Sequence, residues 1–192
     1  RFDARPTAAM AEAACEGAVS EAIPEGAVGA GTGLTVGKIL GKSGAMKGGF
    51  GVAVRTEGER AAEAMVVVNA FGDVRDGAGR IIAGARLPDG SFADTERILK
   101  AGGPERVFGA GASPNTTLAV VAVDAAFSRI ELQQIARAAT AAFHRRLAPA
   151  GSSFDGDIIF ALVPVEGPSG PRGEAERGGV AALEEAGERA VR

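Results

Sequence analysis

Asn115-Thr116-Thr117-Leu118-Ala119-Val120-Val121-Ala122-Val123-Asp124 is the stretch around which the rest of the chain is organised. From Thr117 to Val123 it is apolar on both faces, the pattern of a strand covered from two sides. A loop rich in Gly, Ala and Pro leads into it, ending at Pro114, whose ring fixes one torsion just ahead of Asn115-Thr116. A hydroxyl residue between such a loop and a buried strand can attack the carbonyl before it. An ester would form, and water would release two chains. Thr116 would then own a free α-amino group with an ordinary pKa near ~8, able to act as base for its own hydroxyl. The competing reading is that Asn-Thr-Thr simply starts a strand. For a bare tripeptide that reading carries more weight.

Outward from this stretch the chain alternates in type. Residues 8–22 are Ala- and Glu-rich and predict a helix that Pro24 closes. Residues 50–56 and 62–71 predict strands, the second central because Met65-Val66-Val67-Val68 is apolar on both faces. Turn residues at 72–73 and 76–79 separate short strands, the last at Ile81-Ile82-Ala83. Residues 85–113, with Pro88, Gly90, Gly102 and Pro104, predict a long mobile linker ending in a loop. Beyond the central stretch, Ser128 and Glu131 form a capping box for a helix whose stripe is Leu132, Ile135, Ala136, Ala139 and Phe143. Pro149 ends it. A strand at 158–165, apolar on both faces, and a C-terminal helix of Ala, Glu and Arg follow. Buried strands with enough helices for two faces predict an α/β fold in which sheets lie between helix layers.

Composition narrows the chemistry. The 192 residues suffice for one sizeable core. A net charge of −3, with no Trp or Tyr, gives no electrostatic or stacking reason to expect nucleic acid or an anionic membrane as partner. Cys15 is the one cysteine, which fits a cytoplasmic compartment and excludes an internal disulfide. His144 is the one histidine and stands beside Arg145 and Arg146 at a helix end, so a helix-terminal cation is its ordinary role. One His and one Cys far apart give no metal-ligand spacing, and no metal or other cofactor is expected. What is left is hydroxyl, carboxylate, Lys and Asn chemistry.

The glycine-rich run at 26–51 invites a phosphate-binding reading, which its spacing rejects. A P-loop needs four residues between its first Gly and the Gly-Lys pair, whereas Gly33 leaves three, Gly31 leaves five, and Ile39 stands where Ser or Thr belongs. The dinucleotide pattern fails at Leu34. The run reads instead as a loop permitting close backbone packing, with Lys38 either a surface charge or a positioned ammonium. Asp155-Gly156-Asp157 places two carboxylates on one side of an extended segment. They could raise each other's pKa or share a cation, although an acidic turn before a strand is the commoner explanation.

Four segments in order carry a resemblance: Gly29-Ala30-Gly31-Thr32-Gly33-Leu34-Thr35-Val36-Gly37-Lys38; Val66-Val67-Val68-Asn69-Ala70-Phe71-Gly72-Asp73; residues 115–124; and Asp155-Gly156-Asp157-Ile158-Ile159-Phe160-Ala161. Together they resemble the L-aminopeptidase / D-Ala-esterase-amidase family, which includes β-aminopeptidases and nylon-oligomer hydrolases. The resemblance implies an αββα sandwich, two sheets between helix layers, forming a single catalytic domain over 1–192. It further implies cleavage into a 1–115 part and a 116–192 part. It implies that Asn115 precedes the cut and that Thr116 is the N-terminal nucleophile. Lys38 matches the family lysine near the nucleophile, Asn69 the residue offered to the oxyanion, and Asp155 and Asp157 the acidic pair near the new amino terminus. The implied substrate is a small peptide or amide with a free amino group, and the implied assembly a homo-oligomer of cleaved units. Two departures stand out. The family's Gly-rich N-terminal segment, with part of its sheet, is expected to be lacking here. Gly151 and Ser152 stand where the nylon-oligomer branch often has His-Thr. The same fold world offers a rival, an acetyl-transferring enzyme of arginine biosynthesis with an autocleaved Thr. A non-catalytic subunit that only binds a partner is the alternative from a different class.

Overall fold

The structure, a computed structural model, describes residues 6–103, 115–153 and 155–192. Its elements in chain order are α1 (Ala8–Glu16), β1 (Thr35–Val36), β2 (Met46–Lys47), β3 (Gly49–Glu57), β4 (Arg60–Val68), β5 (Asp73–Arg75), β6 (Ile81–Ala83), α2 (Thr95–Lys100), β7 (Leu118–Val123), α3 (Arg129–Arg146), β8 (Leu147–Ala148), β9 (Ile158–Leu162) and α4 (Arg172–Arg189). A four-stranded sheet runs β3-β4-β7-β9, a three-stranded sheet runs β6-β5-β8, and β1 pairs β2. The expected α/β class with several sheets and helices is the class observed.

β3 and β4 form an antiparallel hairpin in register from Gly49↔Val68 to Glu57↔Arg60. β7 lies antiparallel to β4, with Val66 opposite Ala119. The connection through α3 then returns β9 parallel to β7, with Leu118 opposite Ile158, as a strand–helix–strand crossover must. On one face Ala53, Ala62, Ala64, Val66, Val68, Ala119, Val121 and Val123 are buried, and they share a core with Ile135, Ala139, Ala142 and Phe143 of α3 and Ala175, Ala182, Leu183 and Ala186 of α4. Each buried Val, Ile, Leu or Phe contributes roughly 1.5–3 kcal/mol. The exposed ion pairs linking the elements, such as Arg177–Glu57, contribute about 0–1 kcal/mol. This apolar face therefore dominates the stability. Small residues let α4 approach closely. Gly51 of β3 lies so near that a Cβ there would overlap the Ala186 carbonyl of α4. Backbone cannot move aside as a flexible side chain can, so Gly51→Ala is expected to cost about 3 kcal/mol or more. A urea-unfolding midpoint left at its parental value would contradict this contact.

Several expected boundaries shift. α1 stops at Glu16 rather than at residue 22, because Gly17 caps it, its N–H donating to the Ala13 carbonyl while the Ala18 N–H donates to the Cys15 carbonyl. The strand expected at 158–165 ends at Leu162, and one of its two apolar faces is open, with Ile158, Phe160 and Leu162 each about half exposed. Met65 and Leu118 lie exposed beside them on their strands, so the two-sided cover expected for these strands is present on one side among the described residues. The expected linker at 85–113 is structured as far as it is described. Arg86 pairs with Phe92, Ala93 and Thr95 are buried, and α2 follows. The cause is Asp73. Its buried carboxylate accepts the N–H groups of Ala85 (2.9 Å) and Thr95 (2.6 Å) and the Thr95 hydroxyl (2.8 Å), which anchors the segment to β5. Burial pushes the Asp73 carboxyl above the usual range, against the pull of these donors. Residues 104–113 of the expected linker and Pro114 lie outside the described residues.

Candidate active site

The sheet topology and the glycine-rich loop bring Lys38, Asn69, Asn115, Thr116, Asp155 and Asp157 to one end of the four-stranded sheet. β4 delivers Asn69 at its C-terminal end, and β7 begins just after Asn115 and Thr116. The parallel pairing of β9 with β7 sets Asp155, Gly156 and Asp157 beside residues 115–117. The glycine-rich loop is tied across residues 69–72, with the Lys38 N–H donating to the Phe71 carbonyl (2.9 Å) and the Gly37 N–H to the Gly72 carbonyl (2.8 Å). Lys38 is only 4 % exposed, which excludes the surface-charge reading.

Lys38 Nζ donates to Asn69 Oδ1 at 2.7 Å and to the Asn69 backbone carbonyl at 3.1 Å. The same carbonyl accepts the Thr116 N–H at 3.1 Å. One main-chain oxygen thus links the lysine to the nitrogen that would become a free amine on cleavage. Asn69 Oδ1 also accepts the Thr35 N–H at 3.3 Å, which fixes the orientation of the side-chain amide. Burial pulls the Lys38 ammonium down to about 8, while the charge of Asp155 opposes the shift.

Asn115 is nearly buried, and its carbonyl oxygen is approached from two sides. The Thr116 hydroxyl donates to it at 2.6 Å, and the Gly156 N–H at 3.0 Å. Each of the two carboxylates flanking Gly156 accepts a main-chain N–H. Asp155 accepts the Phe71 N–H (3.0 Å) and the Ser152 hydroxyl (2.6 Å). Asp157 accepts the Thr117 N–H (2.8 Å). Burial raises the Asp157 carboxyl, and neighbouring Asp155 raises it further. His144 is exposed in the last turn of α3, consistent with the helix-terminal role. Two groups escaped the sequence reading, the Gly156 N–H and the Ser152 hydroxyl. A glycine between two aspartates signals a turn, and nothing in that signal says where its N–H points.

The model of peptidase family S58 matches residues 2–190. The chain belongs to this family. Among its relatives, an uncharacterized aminopeptidase of Mycobacterium leprae (strain TN) is 36 % identical over 175 residues, covering 84 % of this chain and 45 % of the relative. The 6-aminohexanoate-oligomer endohydrolase of Kocuria sp. (strain KY2) is 32 % identical over 180 residues, covering 86 % of this chain and 48 % of the relative. The chain therefore spans about half the length of these S58 relatives. Among solved structures, the L-aminopeptidase D-Ala-esterase/amidase from Ochrobactrum anthropi, described as a variant of the Ntn hydrolase fold, superposes with a TM-score of 0.62 at 23 % identity. It is covered to 48 %, against 95 % of this chain. A Burkholderia sp. β-aminopeptidase gives a TM-score of 0.63 at 21 % identity, covering 98 % of this chain and 52 % of that one. These likenesses place the S58 chain in the Ntn hydrolase fold class. No described helix is long and apolar enough to cross a membrane.

Proposed function

We propose that this S58 chain carries the catalytic groups of an autoproteolytic amide hydrolase. Cleavage between Asn115 and Thr116 would divide it into a 1–115 part and a 116–192 part and free Thr116 as an N-terminal nucleophile. The observation that carries the reading is the position of the Thr116 hydroxyl, 2.6 Å from the Asn115 carbonyl oxygen, with that oxygen also accepting the Gly156 N–H. The first step is an acyl shift. Thr116 Oγ1 adds to the Asn115 carbonyl carbon, the C–N bond breaks, and the hydroxyl proton ends on the Thr116 nitrogen. Water then cleaves the ester, leaving a carboxylate on Asn115 and a free amine and hydroxyl on Thr116.

In turnover, Thr116 Oγ1 attacks an amide carbonyl with its own α-amine as base. Lys38 and the side-chain nitrogen of Asn69 face the developing oxyanion, the acyl-enzyme forms, the leaving amine takes the proton, and water regenerates the hydroxyl. The relatives named as an aminopeptidase and as an oligomer endohydrolase both support amide bonds as the substrate class. Asp155 and Asp157 supply the negative charge that orients an ammonium, on the substrate or on Thr116, which favours peptides and short amides with a free amino end.

Denaturing mass spectrometry of the purified protein tests the reading directly. Two fragments split between Asn115 and Thr116, their masses together exceeding the parent by one water, are expected. A chain still intact after prolonged incubation would overturn it.

A further inference from the structure

We infer that the Gly156 N–H is the main-chain oxyanion donor for self-cleavage, a role separate from the Lys38 and Asn69 groups assigned to turnover. The inference rests on the self-cleavage reading above. In the acyl shift, negative charge develops on the Asn115 carbonyl oxygen as Thr116 Oγ1 bonds to its carbon. That oxygen accepts the Gly156 N–H at 3.0 Å. Lys38 donates to the two oxygens of Asn69. The Asp-Gly-Asp turn thus places a main-chain donor on the oxygen where the first step builds charge.

The turn is held on both sides of the donor. Before it, Asp155 is fixed by the Phe71 N–H, the Ser152 hydroxyl and its own N–H to the Ser152 carbonyl (3.0 Å). After it, Asp157 takes the Thr117 N–H at 2.8 Å and the Ile158 N–H donates to the Thr117 carbonyl at 3.0 Å. A donor fixed in advance costs no reorganisation when charge appears, which is the condition for a large effect on rate. Space gives a second, independent indication. A Cβ at Gly156 would stand 3.1 Å from Thr116 Oγ1, so glycine alone leaves the attacking hydroxyl uncrowded at this approach.

The same N–H also continues the β7–β9 ladder, so the experiment must separate catalysis from pairing. Ile158 offers the control, because its N–H makes the next equivalent bond, to Thr117. Replacing the amide nitrogen by an ester oxygen, through translation with glycolic acid at 156 or with the α-hydroxy analogue of isoleucine at 158, deletes one ladder donor in each case. The full protein is followed by denaturing mass spectrometry from synthesis onward. The expected result is cleavage after Asn115 slowed about 10²-fold by the ester at 156, and changed no more than about twofold by the ester at 158. Gly156→Ala, which keeps the N–H but crowds Oγ1, is expected to slow cleavage about tenfold. A parent protein that cuts while the two esters behave alike, both fast or both slow, would overturn this inference and leave the self-cleavage reading standing. A parent that never cuts would overturn both.

Discussion

Thr116→Ala is expected to leave the chain uncut and to remove amide turnover, a loss on the order of 10⁶-fold, as when the nucleophile of a hydrolase is deleted. The size follows from the site. Cys15 is exposed at the end of α1 and His144 is exposed on α3, so neither stands in for the missing hydroxyl. Without cleavage, moreover, the Thr116 nitrogen remains an amide and no base appears. Two functions are lost with one oxygen. Thr116→Ser should keep both, at reduced rates, because the serine hydroxyl lacks the methyl that limits the rotamers of threonine. Alanine removes only a partly buried hydroxyl and methyl, so unfolding midpoints should stay close to parental. The measurement is a pair, fragment masses and initial rates on a peptide or amide with a free amino end. An alanine variant that hydrolyses such substrates at the parental rate would dismiss Thr116 as nucleophile.

The sequence displayed the frame of this site better than its joints. Periodicity identified β4, β7 and α3 because their apolar positions repeat at strand or helix spacing, and it placed Thr116 and the two aspartates at strand ends. It misread residues 85–103 as a linker because one long-range carboxylate, Asp73, organises them. Asp73 belongs to a different element and leaves no periodic trace near residue 95. Asn69 was visible only through the family resemblance, since an asparagine after a strand is ordinarily a turn residue. Its contact with Lys38 forms only when the backbone folds that lysine onto it from 31 positions away. The contact between Gly156 and Asn115 is likewise a product of parallel pairing, which no local pattern encodes. What stayed illegible was the set of contacts between elements that position one chemical group against another.

Lys38→Ala is expected to slow amide turnover by about 10²–10³-fold, the usual loss when a preorganised oxyanion donor is removed. It should also change the pH profile. With its ammonium pulled down to about 8, the lysine loses its positive charge as pH rises through that value. The parental kcat/KM should therefore fall on the alkaline side near pH 8, and the variant should lack this limb. Stability supplies a check that needs no substrate. The folded pKa lies below the ordinary 10.5, so the unfolded chain binds more protons between the two values and stability rises with pH across that window. Below pH 8 the buried charge costs the fold up to about 3 kcal/mol relative to an unshifted lysine, and by pH 10.5 most of that cost is gone. Comparing the parent with Lys38→Met cancels every other titration they share. The parent's unfolding free energy should gain on the variant's between pH 8 and 10.5 and stay parallel to it between pH 6 and 7. Curves parallel throughout would mean that Lys38 titrates normally. Its charge would then not be held out of water at the site, and the alkaline limb of the rate profile would need another owner. On the proposed mechanism, a destabilising ammonium at Lys38 trades stability for chemistry, and the two pH profiles measure both sides of that trade at the same atom.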